Sequence, residues 1–466
     1  MDRLNPLDAS FLHIEDDANL MHIGSVGIFE GPPPSIDRFR AMVAGKLPLV
    51  PRYRQRVHEV PLQLGRPVWA TDPDFQLDYH VRHSALPSPG GRQELQNLVG
   101  RVMAQRLDRG KPLWELWVVE GLEGSNWSLI SKIHHALVDG ISGTDLLSVL
   151  LDDTPEPSPP AAEDDWEPGV GPTGLGLIRD AAVDQATSPL EAVRDVRAAA
   201  RRPRRALERA ALSVRGLGAL TSLLRPGPPS FLVGHIGPHR RYAWATADLD
   251  EVKMIKNALG GSINDVVLAA VTRGFRDLLL ANGEPVEGRS VRSLVPVSVR
   301  GPDEQEAYDN QVSGMFANLP VGITDPRERL QVVRDQLDDL KTSGQAVAAD
   351  SLIALSGFAP PLLLALGTRL AFRTAHRFDR TSIETVTTNV PGPQHPLYAL
   401  GCRMTSAYPY VPIASPLRVG VAIFSYDGEL TFGVTADRTS IPDVDVLANG
   451  VVMGLAELSS IARASD

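Results

Sequence analysis

The chain has 466 residues, of which 43% are hydrophobic and 22% charged, and its formal net charge is −10. This length exceeds what one hydrophobic core serves, so two domains of a soluble α/β or α+β protein are expected. The mean hydropathy of −0.08 excludes a protein with many membrane spans, and the acidic balance argues against nucleic acid as the main partner.

Cys402 is the only cysteine, which excludes an intrachain disulfide framework and a cysteine-rich zinc site. The first 17 residues lack the basic start and apolar centre of a signal peptide. Together these observations predict a cytoplasmic protein.

The N-terminal part alternates predicted strands and helices. Its predicted elements are strands over 22–29, 113–120 and 127–133, extended chain over 68–81, and helices over 35–45, 94–107 and 142–151. Apolar residues at helical spacing predict the helices, and short β-forming runs predict the strands. The last two strands are close enough to form a hairpin.

His134 and His135 follow the predicted strand 127–133 and are followed after three residues by Asp139 and Gly140, in the pattern His-His-x-x-x-Asp-Gly. A neutral imidazole takes up a proton near pH 7, and it acts as a base only when one tautomer is held in place. Gly140 permits a tight turn, and Asp139 can pair with an arginine. The alternative is that His134 is a buried structural histidine and Asp139 an ordinary salt-bridging residue.

Residues 152–176 are rich in proline, then acidic and rich in glycine, which predicts a linker or a surface excursion. They contain Gly169-x-Gly171-x-x-Gly174, a formal match to a dinucleotide fingerprint. Pro172 lies inside this match and no strand is predicted before it, so nucleotide binding is not expected.

Residues 190–224 carry apolar residues at helical spacing, interrupted by Pro203, and a basic polar face. That face contains Arg194, Arg197, Arg201, Arg202, Arg204, Arg205, Arg209 and Arg215. A basic amphipathic helix suits an anionic membrane or lipid-droplet surface. The alternative is a solvated helix that packs one face on the core.

The second half begins near Arg240. Its predicted elements are strands over 242–247, 291–299, 419–424 and 430–435, and helices over 249–258, 263–280, 326–340 and 444–461. Residues 352–372 are strongly apolar, but Pro360, Pro361 and Arg369 favour a tunnel wall or a membrane-facing helix pair over a membrane span. The predicted division is a domain over 1–151, a linker over 152–239 and a domain over 240–466.

The His-His-x-x-x-Asp-Gly pattern resembles the active-site motif of the CoA-dependent acyltransferase superfamily. Five further stretches resemble those of the bacterial wax ester synthase/diacylglycerol acyltransferases: Leu7-Asp8-Ala9-Ser10-Phe11-Leu12, Met21-His22-Ile23-Gly24, Pro112-Leu113-Trp114-Glu115, Asn264-Asp265-Val266-Val267-Leu268-Ala269 and Thr388-Asn389-Val390-Pro391-Gly392-Pro393. The resemblance covers nearly the whole chain.

The resemblance implies two chloramphenicol-acetyltransferase-like domains with a tunnel between them, in which acyl-CoA meets a fatty alcohol or diacylglycerol. It implies that His135 is the general base, His134 a supporting residue, Asp139 a structural residue and Gly140 a packing residue. No covalent acyl-enzyme, bound cofactor or metal is needed. The sequence has no Gly-x-Ser-x-Gly nucleophile elbow, and Cys402 is weighed as a nucleophile against a packing role.

Asn264 is the candidate donor to the oxyanion of the tetrahedral intermediate, because it stands at a predicted helix N-terminus. The alternative is that it only caps that helix. Further candidates for substrate binding in the resembling stretches are Pro112, Leu113, Trp114, Asp265, Asn389, Pro391 and Gly392. The stretch 389–393 is alternatively a rigid turn after a strand.

Two other functions stay open from the sequence alone. A condensation-type enzyme would use a carrier-protein thioester and an amine, although no carrier serine motif is recognisable in this chain. A non-catalytic lipid-binding protein would keep the fold without needing His135.

Overall fold

The structure is a computed structural model. It describes residues 2–138, 149–157, 166, 171–181, 183, 229–298, 312–342 and 383–464. Asp139 and Gly140, the basic helix predicted over 190–224 and the apolar stretch 352–372 lie outside the described residues.

The described chain alternates strands and helices. Its strands are β1 (Asp2–Arg3), β2 (His22–Phe29), β3 (Gln55–His58), β4 (Val68–Thr71), β5 (Val81–Ala85), β6 (Trp114–Glu120), β7 (Trp127–His134), β8 (Arg240–Asp248), β9 (Val291–Ser298), β10 (Val312–Leu319), β11 (Thr385–Pro391), β12 (Tyr398–Ala399), β13 (Cys402–Tyr410), β14 (Val419–Tyr426) and β15 (Glu429–Asp437). Its α-helices are α1 (Pro6–Ile14), α2 (Ile36–Lys46), α3 (Leu77–His80), α4 (Arg92–Met103), α5 (His135–Val138), α6 (Leu249–Leu259), α7 (Ile263–Ala281), α8 (Pro326–Thr342) and α9 (Val444–Arg463).

Two six-stranded sheets form the framework. The first has the order β12-β13-β2-β7-β6-β5 and the second β10-β9-β11-β14-β15-β8, while β1, β4 and β3 form a small third sheet. The predicted hairpin is confirmed, because β6 and β7 pair antiparallel with Trp114 opposite Ile133. On its other side β7 pairs with β2, which brings His22 opposite His134.

Strand β13 joins the two sheets, and the sequence patterns do not predict it. It comes from the second half of the chain but pairs antiparallel with β2 in the first sheet, with Tyr410 opposite Gly24. Across its other side the Thr431 hydroxyl donates to the Ala407 carbonyl at 2.6 Å. Gly433 is required there, since a Cβ at this position would collide with the Pro409 carbonyl. The proposed boundary at residue 240 therefore does not separate the strands of the two sheets.

Two predictions about local structure are wrong in part. The predicted extended chain over 68–81 contains the short helix α3, and the predicted helix over 94–107 is α4, which begins at Arg92 and ends at Met103. At the end of α4, buried side chains bind carbonyl groups of the last helical turn. Lys132 Nζ donates to Val102 O at 3.1 Å, and positive charge is favourable at a helix C-terminus.

The second sheet is covered by α6, α7, α8 and α9, whose aliphatic side chains form one apolar cluster. Within the described part of the chain, α9 is the helix long and apolar enough to cross a membrane, but half of the qualifying window is buried. Its burial against α7 is the behaviour of a core helix.

Candidate active site

The His pair lies where β7 ends and α5 begins. The His134 N–H donates to the Leu113 carbonyl at 2.9 Å, and the His135 N–H donates to the Met21 carbonyl at 2.8 Å. His134 is fully buried and His135 is half-buried. The His135 ring packs against Phe11 of α1, with ring centroids 4.1 Å apart. The backbone of the pair is thus held by hydrogen bonds on both sides.

The hydrogen bonds of His134 select one tautomer. Its Nδ1 accepts from the Ala136 N–H at 3.1 Å, so the proton of the neutral ring is on Nε2. Nε2 faces Glu15 Oε1 at 3.5 Å. His134 therefore links the turn around His135 to a carboxylate beneath it.

Glu15 is a buried carboxylate held by two arginines. Arg109 donates to Glu15 Oε2 from Nε at 3.0 Å and from Nη2 at 2.9 Å, and Arg106 Nε donates to the same oxygen at 3.2 Å. Burial alone would raise the pKa of Glu15, but the adjacent His134 and the Arg109 guanidinium outweigh it and lower this pKa to about 2. The carboxylate consequently stays ionised near neutral pH.

Two further titratable groups lie beside His134 in the first sheet. His22 Nε2 hydrogen-bonds the Met103 carbonyl at 2.7 Å, and burial, together with the Lys132 charge, holds the pKa of His22 well below its usual value. Lys132 is fully buried with its Nζ 3.8 Å from Glu115 Oε2, and burial lowers its pKa to about 8. From the sequence no role is predicted for Lys132 or Glu15, and His22 stands only within a resembling stretch. The usable signal was Lys132, a charged residue inside a strand of otherwise uncharged residues before the His pair, and on the same face as His134.

From the second half, Asn264 lies in the first turn of α7. The helix is capped by Ser262, whose hydroxyl accepts from the Asp265 N–H at 3.3 Å, while Asp265 Oδ2 accepts from the Ser262 N–H at 2.6 Å. The alternative that Asn264 caps the helix is therefore wrong, and Asp265 closes a capping box. Asn389 Nδ2 donates to Asn264 Oδ1 at 3.3 Å, which leaves the Asn264 amide nitrogen to act as a donor.

Asn389 belongs to a strand, not to a turn. It lies in β11, which pairs with β14 so that Asn389 is opposite Ile423 and Pro391 opposite Ser425. The chain leaves the strand at Gly392, whose N–H donates to Ser425 Oγ at 3.2 Å. A Cβ on Gly392 would collide with the Phe424 ring, so glycine is required for this close approach.

Side chains of the second half belong to the apolar core of the first half. Phe424 and Tyr426 of β14 pack in the same apolar cluster as Ala136 and Leu137, the residues that follow His135. Strand β14, the neighbour of the strand that holds Asn389, therefore contributes side chains to the apolar core of the first half.

A groove of about 760 Å³ lies between α4 and β8. Its lining includes Arg101, His239, Arg240, Arg241 and Arg438. His135 is not part of this lining, so the tunnel expected at His135 stays a prediction.

The remaining candidates from the sequence occupy the core of the first half. Pro112, Leu113 and Trp114 are buried, and Trp114 Nε1 donates to the Tyr53 carbonyl at 2.8 Å. Leu113 holds the end of β7 through its carbonyl. Cys402 is half-buried in β13 and packs against the core of the first half, which favours its packing role.

Comparison with known proteins extends over both halves. Residues 4–267 match the wax ester synthase/diacylglycerol acyltransferase catalytic domain, and residues 308–459 match the WS/DGAT C-terminal domain. The probable diacylglycerol O-acyltransferase tgs1 of Mycobacterium tuberculosis is 37% identical over 469 residues, which cover 99% of this chain and 97% of that protein.

Solved structures share the fold. The wax ester synthase/diacylglycerol acyltransferase from Marinobacter aquaeolei VT8 superposes with a TM-score of 0.71 at 24% identity, covering 99% of this chain and 100% of that one. The first condensation domain of the calcium-dependent antibiotic synthetase superposes with a TM-score of 0.57 at 17% identity, covering 98% and 97%. The predicted α/β fold of two acyltransferase-like domains is confirmed. The chain belongs to the wax ester synthase/diacylglycerol acyltransferase family of acyl-CoA-dependent acyltransferases.

Proposed function

We propose that this enzyme transfers a long-chain acyl group from acyl-CoA to the hydroxyl of diacylglycerol, with a long-chain fatty alcohol as the second acceptor. The observation that supports the proposal is the His pair at the end of β7. His135 is half-buried there, and its backbone N–H is hydrogen-bonded to the Met21 carbonyl. The relative named as a diacylglycerol O-acyltransferase supports the choice of acceptor.

The proposed mechanism assigns the proton transfers to His135 and the stabilisation of the oxyanion to Asn264. His135 takes the proton of the acceptor hydroxyl as its oxygen attacks the thioester carbonyl, and the Asn264 amide donates to the resulting oxyanion. The C–S bond then breaks, and His135 returns the proton to the departing CoA thiolate. Ester and free CoA are the products, without a covalent acyl-enzyme. Asp139 is assigned to orient the turn, by the resemblance alone.

The acceptor is insoluble in water, so the enzyme has to reach a lipid surface. We assign this contact to the basic amphipathic helix predicted over 190–224 and expect a cytoplasmic protein bound peripherally to membrane or lipid inclusions.

A thiol-release assay tests the proposal. The purified enzyme is mixed with palmitoyl-CoA and, in parallel, with dioleoylglycerol, hexadecanol or hexadecylamine. Thiol release with either hydroxyl acceptor supports the proposal. Release with the amine alone would indicate a condensation-type enzyme, and no release with any acceptor, despite lipid binding, would indicate a non-catalytic protein.

His135→Ala tests the base. We expect kcat to fall by about 10²–10⁴-fold because general-base catalysis is lost, with an unchanged melting temperature. His83→Ala is the matched control, since His83 is an exposed histidine of the same sheet. An active His135→Ala enzyme would contradict the assignment.

Asn264→Ala tests the oxyanion donor. We expect kcat to fall by about 10²–10³-fold without a change in the KM for palmitoyl-CoA. Ser262→Ala is the control for helix capping, because it removes the N-cap and should lower stability rather than kcat. Equal kinetic effects of the two substitutions would contradict a role for Asn264 in catalysis.

A further inference from the structure

Helix α1 contacts both members of the His pair. Phe11 packs on the His135 ring, and Glu15 at the end of the helix faces His134 Nε2 at 3.5 Å. The Glu15 N–H caps α1 by donating to the Phe11 carbonyl at 3.1 Å. One rigid element therefore sets the positions of the ring that covers His135 and of the carboxylate behind His134.

We infer that Glu15 is a positioning residue for the transfer reaction, acting on His135 through the tautomer of His134. This rests on the proposed role of His135 as the base. An ionised carboxylate at Nε2 favours the tautomer with its proton on Nε2. Only this tautomer leaves Nδ1 able to accept from the Ala136 N–H, and that hydrogen bond closes the turn on which His135 stands.

The opposite tautomer breaks this arrangement. A proton on Nδ1 would point at the Ala136 N–H, so two donors would face each other and the turn would lose its hydrogen bond. Nε2 would then present a lone pair to the Glu15 carboxylate, which is repulsive. Both ends of the imidazole therefore favour one state.

Arg106 and Arg109 determine how the amide of a glutamine at position 15 would be oriented. Arg106 and Arg109 both donate to Oε2, so in Glu15→Gln the amide oxygen takes the Oε2 position. The amide NH₂ then faces His134 Nε2 and favours a proton on Nδ1. A near-isosteric substitution thus reverses the tautomer without creating a cavity.

Histidine-selective ¹⁵N labelling and NMR read the tautomer directly. For the wild type at pH 7.5 we expect His134 as the Nε2–H tautomer, and for Glu15→Gln the Nδ1–H tautomer. Glu59→Gln is the matched control, because Glu59 is exposed and lies 3.7 Å from Arg109 Nη1, whereas Glu15 accepts from Nε and Nη2 of the same guanidinium. A wild-type Nδ1–H tautomer, or an unchanged tautomer in Glu15→Gln, would overturn the inference even if a variant folds poorly.

Kinetics separate positioning from a structural role. We expect Glu15→Gln to lower kcat at least 10-fold with the KM for palmitoyl-CoA within 2-fold, and Glu59→Gln to change neither. In a His134→Ala background Glu15→Gln should cause no further loss of kcat; independent, multiplying losses would overturn the inference. If the wild type releases no thiol while the tautomer still switches, the proposed function fails and the action of Glu15 on His134 stands.

Discussion

The two six-stranded sheets bury different kinds of interior. The second sheet packs against one aliphatic cluster, with members such as Val267, Phe275, Leu279, Phe432 and Leu447. The first sheet instead buries charge at the end of β7, where Lys132 and His134 lie beside His22 and Glu15. Burying charged groups costs free energy unless they are paired. The comparison shows that ionisable groups are buried next to the His pair in the first sheet, whereas the second half contributes the aliphatic cluster around α7 and, in the proposed mechanism, the Asn264 donor.

The largest effect on stability is expected in the second half. Phe275→Ala removes a fully buried ring of α7 and should lower the free energy of unfolding by about 3–5 kcal/mol, measured by urea denaturation. Leu280→Ala on the same helix, whose side chain is 49% exposed, should cost far less. A loss of stability in Phe275→Ala no larger than that in Leu280→Ala would contradict the assignment of Phe275 to the core.

Glu15 is expected to contribute to the free energy of unfolding, and this contribution is expected to disappear in acid. Its folded pKa of about 2 lies below the usual value of 4.5, so its contribution is present above pH 4.5 and is lost as the pH falls toward 2. The full contribution is about 3 kcal/mol. Denaturation at pH 5 and pH 3 should show a smaller loss for Glu15→Gln than for the wild type. If the free energy of unfolding falls equally in both proteins, the Glu15 carboxylate does not contribute to stability in acid.

The smallest expected effect is a dependence of stability on alkaline pH caused by Lys132. The pKa of Lys132 is about 8 in the folded protein, against the usual 10.5. Between these two pH values the unfolded chain binds more protons than the folded protein. The free energy of unfolding of the wild type should therefore rise with pH in this range. Relative to Lys132→Met, the gain should be about 2 kcal/mol from pH 8 to pH 9.5. Lys253→Met, at an exposed lysine, should leave the pH dependence unaltered. Matching curves for wild type and Lys132→Met would mean that Lys132 is not desolvated.

Most regular elements were predictable from local pattern. The predicted strand over 22–29 and helix over 263–280 agree with β2 and α7 to within one residue, because side-chain periodicity is a property of near neighbours in the chain. The His pair was found in the same way, since its residue types and spacing are local. The capping of α7 by Ser262 was one local detail that the pattern left ambiguous, because serine and asparagine both cap helices.

Distant pairing was not predictable. Strand β13 has a mixed pattern, and only its pairing with β2 makes it part of the first sheet. Glu15 stands in an ordinary stretch at the end of α1, and nothing nearby in sequence marks it as the partner of His134. Alternation and helical spacing are encoded by adjacent residues, whereas the partner of a buried charge depends on which remote groups lose water together when the chain folds.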